Sequence, residues 1–241
     1  MKHMKHIKQK TTKDYSKFHL LPMNREIQAA HVEKMVSSIR NMGCIRDVIV
    51  AVTNLIDGIT RCYIIDGQHL FTACQREGLP IVYRAVKINT DEELVEKMAA
   101  LNNTSKSWNL INYVNAWKYV NTDYMTLLKY INLYNLEPSM IAMIAMNQTN
   151  VTGTSRLIKK GEFVISNSKT AEMCKAFSDF FIKIGTADRW IKFNFLSVFT
   201  SEYGKYDHAK ALLKLDKHLS TIKAMGDPKY AQDYIRKNIF Y

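Results

Sequence analysis

The chain has 241 residues, of which 47% are hydrophobic and 23% are charged, proportions that are typical of a globular protein with a sizeable core. It carries 34 Lys and Arg against 22 Asp and Glu, and this formal charge of +12 indicates a polyanionic partner, usually nucleic acid, or a protein that is merely basic. The four cysteines form no CxxC pair and no apolar run approaches a membrane span, which argues against a zinc site or a membrane protein and favours the reducing cytoplasm.

Residues 1–19 begin with the basic segment MKHMKHIKQKTTKDYSK, and no apolar signal core follows it. The composition predicts a flexible basic arm rather than a secretion signal. Its lysines either contact phosphate groups or lie in solvent, and the sequence leaves both alternatives open.

Residues 20–102 follow the order helix, strand, strand, helix, strand, helix, which predicts an α+β domain. Apolar residues at helical spacing in QAAHVEKMVSSIRNMG indicate the first helix. The β-branched runs DVIVAVT and RCYIID predict two strands joined by a turn at Asp57-Gly58. After the strand IVYRAVKI, Thr90 and Glu93 have the spacing of a capping box at the start of the last helix.

The segment IIDGQHLFTACQREGLP predicts a strand that turns at Asp66-Gly67 directly into a helix. The free backbone N–H groups at such a helix N-terminus favour an anion such as phosphate, and a glycine lets the ligand approach closely. Asp66 is suited to hold a hydroxyl group or a metal, and Gln68 and His69 to hydrogen-bond a phosphate or a base. The alternative is a turn that only redirects the chain, with His69 as a structural residue.

The character of the sequence changes after Asn102, because no further strand pattern follows and aromatic and methionine residues recur at helical spacing. We expect an all-α part made of a helical region over residues 103–165 and a C-terminal helical bundle over residues 166–241. The aromatic residues at helical spacing are expected to form its core.

The order of motifs in NREI…HVEKMVSSIRNMGCIRDVIVAVT…IIDGQHLFTACQREGLPIVYRAV resembles the N-terminal domain shared by the chromosome-partitioning protein ParB and sulfiredoxin. The DGQH sequence is especially similar to the DGQHR variant of phage and mobile-element members. The resemblance covers about Leu20 to Asn102, roughly a third of the chain. The matching positions are Arg25, Ser38-Ile39, Gly43, Val48–Val50, Asp66–His69, Ala73 and Gly78-Leu79.

The resemblance implies that Gly67, Gln68 and His69 bind a nucleotide or phosphate, together with Arg25. A second family motif with a Glu-Asn pair would fall on Asn102 and Asn103; the alternative is a polar helix entry capped by Thr104 or Ser105. The implied cofactor is a nucleoside triphosphate with Mg²⁺, and the sequence does not say whether a metal has its own ligands.

Two family positions differ in this chain. The arginine that clamps phosphate would align with Leu70, and leucine supplies none of the bidentate, charge-assisted contact of a guanidinium. Arg61, Arg76 and Arg84 are the candidates to replace it. Sulfiredoxin has its cysteine where this chain has Gln68, so reductase chemistry of that kind lacks its nucleophile.

The segment NLEPSMIAMIAMNQTNVTGTSRLIKKGEF occupies the place of the family's helix-turn-helix. The second predicted helix carries hydroxyl and basic side chains of the kind that contact DNA, or a basic surface of a helical bundle. The candidate nucleic-acid-binding residues are Thr154, Ser155, Arg156, Lys159 and Lys160.

These features favour a ParB-like DNA-binding protein of a phage or plasmid, acting in the bacterial cytoplasm or nucleoid, with a nucleotide-binding turn at Asp66–His69. A homodimer is compatible with the resemblance, and no membrane partner is expected. One alternative is a nuclease or nucleotide-dependent phosphotransferase with Asp66 and His69 as catalytic residues. Another is a degenerate relative that acts only by binding other proteins, which Leu70 favours.

Overall fold

The computed structural model places the chain in two units, Met1–Asn112 and Tyr113–Tyr241. The structure describes residues 7–43, 46–102, 108–185 and 188–241. Of Asn102 it describes the backbone only.

The first unit contains a five-stranded mixed sheet. The two strands of the predicted hairpin, Val48–Thr53 and Arg61–Asp66, pair antiparallel. The strand Ile81–Lys87 pairs parallel with Val48–Thr53. The strands are β1 (Gln9–Thr12), β2 (Phe18–Leu20), β3 (Val48–Thr53), β4 (Arg61–Asp66) and β5 (Ile81–Lys87), in the spatial order β1-β5-β3-β4-β2.

Three helices belong to this unit: α1 (Ala29–Met42), α2 (Gln68–Arg76) and α3 (Asp91–Asn102). The core joins α1, α2 and the sheet, and each large apolar side chain buried there contributes about 1.5–3 kcal/mol relative to exposure. Its buried members are Phe18, Val32, Val36, Ile39, Val48, Val50, Ile64, Leu70, Phe71, Ala73, Cys74 and Ile81.

The predicted flexible arm is wrong for the residues of β1 and β2. Strand β1 pairs antiparallel with β5, and β2 pairs parallel with β4. Phe18 is 7% exposed, and its ring lies 5.0 Å from that of Tyr83 and 5.7 Å from that of Phe71. Composition did not reveal these edge strands because their hydrogen bonds come from backbone groups of partners distant in sequence.

The second unit consists of helices in the part of the chain that is described, which confirms the predicted order of an α+β part followed by an all-α part. Helix α4 begins in the first unit. The helices are α4 (Leu110–Trp117), α5 (Thr122–Tyr134), α6 (Pro138–Ala145), α7 (Val151–Lys160), α8 (Thr170–Ile184), α9 (Arg189–Glu202), α10 (His208–Lys223), α11 (Pro228–Ile235) and a π-helical turn over Arg236–Phe240.

Aromatic rings form much of the core of this second unit, as their spacing predicted. Phe180 lies at the centre, with its ring 5.2 Å from that of Phe195, 5.8 Å from that of Phe199 and 5.8 Å from that of Phe240. All four side chains are buried. Among the described residues, no helix is both long and apolar enough to cross a membrane.

A buried carboxylate ties the end of the chain to α9. Glu202 is 4% exposed, and its oxygen atoms accept hydrogen bonds from Arg236 Nε at 3.1 Å and from the Tyr241 hydroxyl at 2.8 Å. Burial acts to raise the pKa of Glu202, but hydrogen bonds from Tyr241, Arg236 and Ser201 outweigh this effect and lower it. The ionised form is therefore the one that the fold stabilises.

We expect Glu202→Gln to reduce the free energy of unfolding near pH 7 by about 1.5–3 kcal/mol, the range for hydrogen bonds to a charged group. Because the pKa is lower in the folded state, the contribution is complete above the ordinary value of 4.5 and is lost as pH falls through the folded value. Urea unfolding between pH 3 and pH 7 measures this difference.

The control is Asp233→Asn, because this carboxylate also faces Arg236, at 3.5 Å, but is 65% exposed. It should change stability by less than about 0.5 kcal/mol. Equal losses in the two variants, or a Glu202→Gln effect that grows toward acid pH, would contradict the assignment.

Candidate functional site

The turn from β4 into α2 depends on a glycine in the left-handed conformation. Gly67 has φ 85° and is the N-cap residue of α2, directly after Asp66 at the end of β4. A Cβ atom on Gly67 would lie 3.2 Å from the Cα atom of Val48. Both the backbone angle and the close approach of β3 therefore require glycine. We call residues Asp66–His69 the corner.

The register of the hairpin changes next to the corner. Val50 pairs with Ile64, but the neighbouring Ile49 pairs with Asp66, which indicates a bulge between Ile49 and Val50. Bulges bend a strand and change the direction of its side chains, and they are frequent beside functional sites. Here the bulge lies opposite the end of β4, where Ile49 pairs with Asp66.

The corner lines a cavity of about 170 Å³, which we call the first cavity. One part of its wall is apolar and includes Met35, Leu70 and Met98. The other part is charged and polar. It includes Arg25, Asp66, Gln68 and His69, which the sequence analysis proposed, and further polar residues that it did not propose. The charged and polar lining residues are Asn24, Arg25, His31, Arg46, Asp47, Asp66, Gln68 and His69.

Gln68 and His69 hold the segment that carries Arg25. The Gln68 side chain is 8% exposed, and its Nε2 donates to the Arg25 carbonyl at 2.7 Å. His69 Nε2 accepts from the Gln28 backbone N–H at 3.2 Å, which places the ring proton on Nδ1 in the neutral form. Both side chains thus position residues 25–28 beside the corner, a role that the sequence did not suggest.

Leu70 does not contribute polar chemistry, because it is 7% exposed and packs in the core. The three arginines proposed to replace the family arginine do not line the first cavity. Each forms an ion pair with a carboxylate: Arg61 with Asp57, Arg76 with Glu33, and Arg84 with Asp47.

Arg46 lines the first cavity and was missed by the sequence analysis. It precedes β3, far from the corner in sequence, and only the pairing of β3 with β4 brings the two together. Its sequence signal is weak: a basic residue two positions before a β-branched strand. Arg25 and Arg46 therefore both line the cavity, and the charges of both act on Asp66.

The electrostatics of the first cavity centre on Asp66. Burial raises the pKa of Asp66, while the Gly67 N–H and the charges of Arg25 and Arg46 oppose this shift. Burial also lowers the pKa of the Arg25 guanidinium, which the charge of Asp66 opposes. Opposite charges thus compensate one another in a partly desolvated space, where an anionic ligand would experience strong interactions.

A second cavity, of about 390 Å³, adjoins the first. Arg25, His31 and His69 line both, and the two histidine rings are 4.7 Å apart in an edge-to-face arrangement. The remaining lining residues are Glu26, Gln28, Asn109 and Asn112. Of the asparagines proposed from the family motif, Asn103 and the side chain of Asn102 lie outside the described residues.

Asn109 and Asn112 form a reciprocal cap at the start of α4. The backbone N–H of Asn109 donates to Asn112 Oδ1 at 3.1 Å, and that of Asn112 donates to Asn109 Oδ1 at 3.0 Å. The side-chain oxygen atoms of both residues are thus engaged in the cap.

The candidate DNA-binding residues lie on α7. Five residues, 146–150, separate α6 from α7, which is longer than the usual turn of 3–4 residues in a helix-turn-helix. Thr154 is 1% exposed and donates to the Asn150 carbonyl at 2.8 Å, so the expectation that it faces a partner is wrong. Ser155 is half-buried, whereas Arg156, Lys159 and Lys160 are exposed.

Within residues 7–43, 46–102, 108–185 and 188–241, no group of three or more His, Cys, Asp or Glu side chains is arranged to hold a metal ion. Asp66 and His69, the residues proposed as catalytic, do line the same cavity.

No protein-family model matches the chain. No curated protein sequence matches it either. Among solved structures, it is similar to the C-terminally truncated chromosome-partitioning protein ParB from Caulobacter crescentus complexed with CTP-gamma-S, with 14% identity, a TM-score of 0.36 and coverage of 95% of this chain and 98% of that chain. A TM-score of this size is too low for the likeness to establish the fold or the function.

We expect Gly67→Ala to lower the free energy of unfolding by about 1–2 kcal/mol for the left-handed backbone alone. The contact with Val48 adds a packing cost of about 1–3 kcal/mol. Gly58→Ala is the matched control, because Gly58 has φ 75° but nothing lies within 4 Å of its Cβ position. Chemical denaturation measures the free energy of unfolding of both variants. Equal losses of stability would show that the close approach of β3 does not constrain residue 67.

Proposed function

We propose that the chain is a ParB-like DNA-binding protein whose first unit binds the phosphate of a nucleotide at the corner. One observation carries this proposal: Arg25 and Arg46 line the same cavity as the N-terminus of α2. The order of sequence motifs supports the choice of family, and the charge of +12 supports a nucleic-acid partner.

The corner has the chemistry that phosphate requires. The first N–H groups of α2 have no helical acceptors, and the left-handed Gly67 leaves no side chain between them and a ligand. Two guanidinium groups add bidentate donors that remain charged at any physiological pH. Each charge-assisted hydrogen bond contributes about 1.5–3 kcal/mol, so three or four of them contribute about 4.5–12 kcal/mol before the cost of association.

Arg46 answers the strongest objection to nucleotide binding, which is the leucine at position 70. Arg46 comes from two residues before β3 instead of from α2. The charge is retained but its position differs from that implied by the resemblance. The proposal therefore includes nucleotide binding and does not include the hydrolysis typical of ParB.

A second candidate function is phosphoryl transfer or hydrolysis, which is favoured by the presence of Asp66 and His69 in one cavity. The raised pKa of Asp66 suits an acid–base role. His69 is less suited, because its Nε2 already accepts the Gln28 N–H. Binding without turnover is the simpler account of these contacts.

For nucleotide binding, we expect a thermal-shift screen with CTP, ATP, ADP and GTP, with and without Mg²⁺, to find a ligand that stabilises the protein. A ligand at about 100 times its dissociation constant adds about 2.7 kcal/mol. Arg46→Ala should abolish this shift, since it removes one of the two guanidinium groups of the cavity.

Arg76→Ala is the control, because this arginine is exposed and pairs with Glu33 outside the cavity. It should retain the full ligand-induced shift. No shift with any nucleotide would overturn the nucleotide-binding proposal and favour a protein that acts only through protein partners.

For DNA binding, we expect the double variant Arg156→Ala, Lys160→Ala to bind duplex DNA more weakly than the unmodified chain at every salt concentration. Each phosphate contact removed should reduce the slope of log affinity against log salt by about 1. Fluorescence anisotropy at several salt concentrations measures both quantities. Lys175→Ala, which changes an exposed lysine of α8, should leave the slope unchanged.

Absence of DNA binding, or binding that salt does not affect, would contradict the proposed nucleic-acid partner. An equal loss in Lys175→Ala would show that general charge, and not α7, is responsible.

A further inference from the structure

Helix α10 carries a row of three lysines along one side, which we call the lysine row. Lys210, Lys214 and Lys217 have the spacing i, i+4, i+7. At about 100° and 1.5 Å per residue, this spacing places them within an arc of about 60° and along about 10 Å of the helix. Lys210 and Lys217 are exposed, and Lys214 is half-buried. The exposed Thr221 follows at i+11 and continues the row with a hydroxyl group.

The apolar side of α10 is buried inside the second unit. Ala211, Leu215 and Ile222 are 2%, 0% and 1% exposed, and the helix packs against α8 and α11. A helix that lies on a lipid bilayer inserts its apolar side below the headgroups. Because the fold already occupies that side of α10, the lysine row suits a hydrophilic polyanion and not a membrane surface.

The charge of the lysine row is not compensated within the protein. Every Asp and Glu of the sequence lies within the described ranges, and the ion pairs of the second unit involve other lysines and arginines. Asp207 caps α10 by accepting the Lys210 backbone N–H at 3.0 Å. Asp216, the one acid within α10, is bound by Lys183 Nζ at 2.6 and 2.7 Å.

The lysine row does not stabilise the helix, because like charges at i, i+3 and i, i+4 repel one another. A polyanion would remove this repulsion and release its own counterions on binding. Each strand of duplex DNA carries one phosphate per about 3.4 Å of helix axis, so a row of about 10 Å extends over about three phosphates. Lysine ammonium groups bind phosphate as point charges, without the geometry that reads a base edge.

We propose that α10 is a second DNA-contacting surface, on which Lys210, Lys214 and Lys217 bind the phosphate backbone of duplex DNA without reading its sequence. This inference rests on the proposed DNA binding and adds to α7 a surface that no sequence motif indicates. Contacts of this kind raise the affinity for DNA of any sequence.

Fluorescence anisotropy with two duplexes of unrelated sequence, at several salt concentrations, tests the proposal on the full chain. The triple variant Lys210→Gln, Lys214→Gln, Lys217→Gln should reduce the slope of log affinity against log salt by about 2–3, since each phosphate contact contributes about 0.9. The affinities for both duplexes should fall by the same factor, about ten-fold or more at low salt. The variant should melt at or above the temperature of the unmodified chain, because it removes like-charge pairs.

The control is Lys129→Gln, Lys169→Gln, Lys175→Gln, which removes the same charge from three exposed lysines of the same unit. Its slope should change by less than about 1. An equal reduction in the control, or an unchanged slope in the α10 variant, would overturn this inference while leaving the proposed DNA binding intact. No DNA binding by the unmodified chain would overturn both proposals, and binding to phosphatidylserine vesicles instead would assign the lysine row to a lipid surface.

Discussion

The close approach between Gly67 and Val48 is the constraint on which the candidate site depends. At 3.2 Å from a Cβ position to the Cα atom of Val48, any other residue would force the backbone of β3 to shift, and the left-handed φ disfavours most side chains independently. This contact brings the N-terminus of α2 against the start of β3, and Arg46, two residues before that strand, lines the same cavity. The glycine thus brings the backbone N–H groups of the corner beside a side-chain cation that comes from elsewhere in the sequence.

The segment that carries Arg25 is held against the same corner by three polar contacts. Asn24 Nδ2 donates to the Ile64 carbonyl at 3.0 Å, Gln68 Nε2 donates to the Arg25 carbonyl, and His69 accepts the Gln28 N–H. Preorganisation of this kind reduces the entropy lost on binding, because the arginine backbone is fixed before a ligand arrives. Gln68 and His69, which the sequence motif presents as ligand contacts, therefore hold the segment that carries Arg25.

Local signals in the sequence were enough to predict the central hairpin, α2 and the helical second unit. Asp57-Gly58 marked the turn between β3 and β4, and the alternation of apolar residues defined the strands. Arg46 and the edge strand β1 could not be found in this way, because both owe their position to pairing between segments distant in sequence. Thr154 was misassigned for a different reason: periodicity identified its helix, but only packing decides which face is buried.

The most direct test of the account is a two-dimensional ¹⁵N–¹H NMR titration with inorganic phosphate, followed through the backbone amides of α2 and the corner. The account predicts saturable shifts of the Gly67, Gln68 and His69 amides in the unmodified chain, since these N–H groups lie where the anion binds. The same titration of Arg46→Ala should give shifts that are much weaker at equal phosphate concentration. Shifts that are absent from the corner, or that are unchanged by Arg46→Ala, would contradict a phosphate site built from α2 and Arg46.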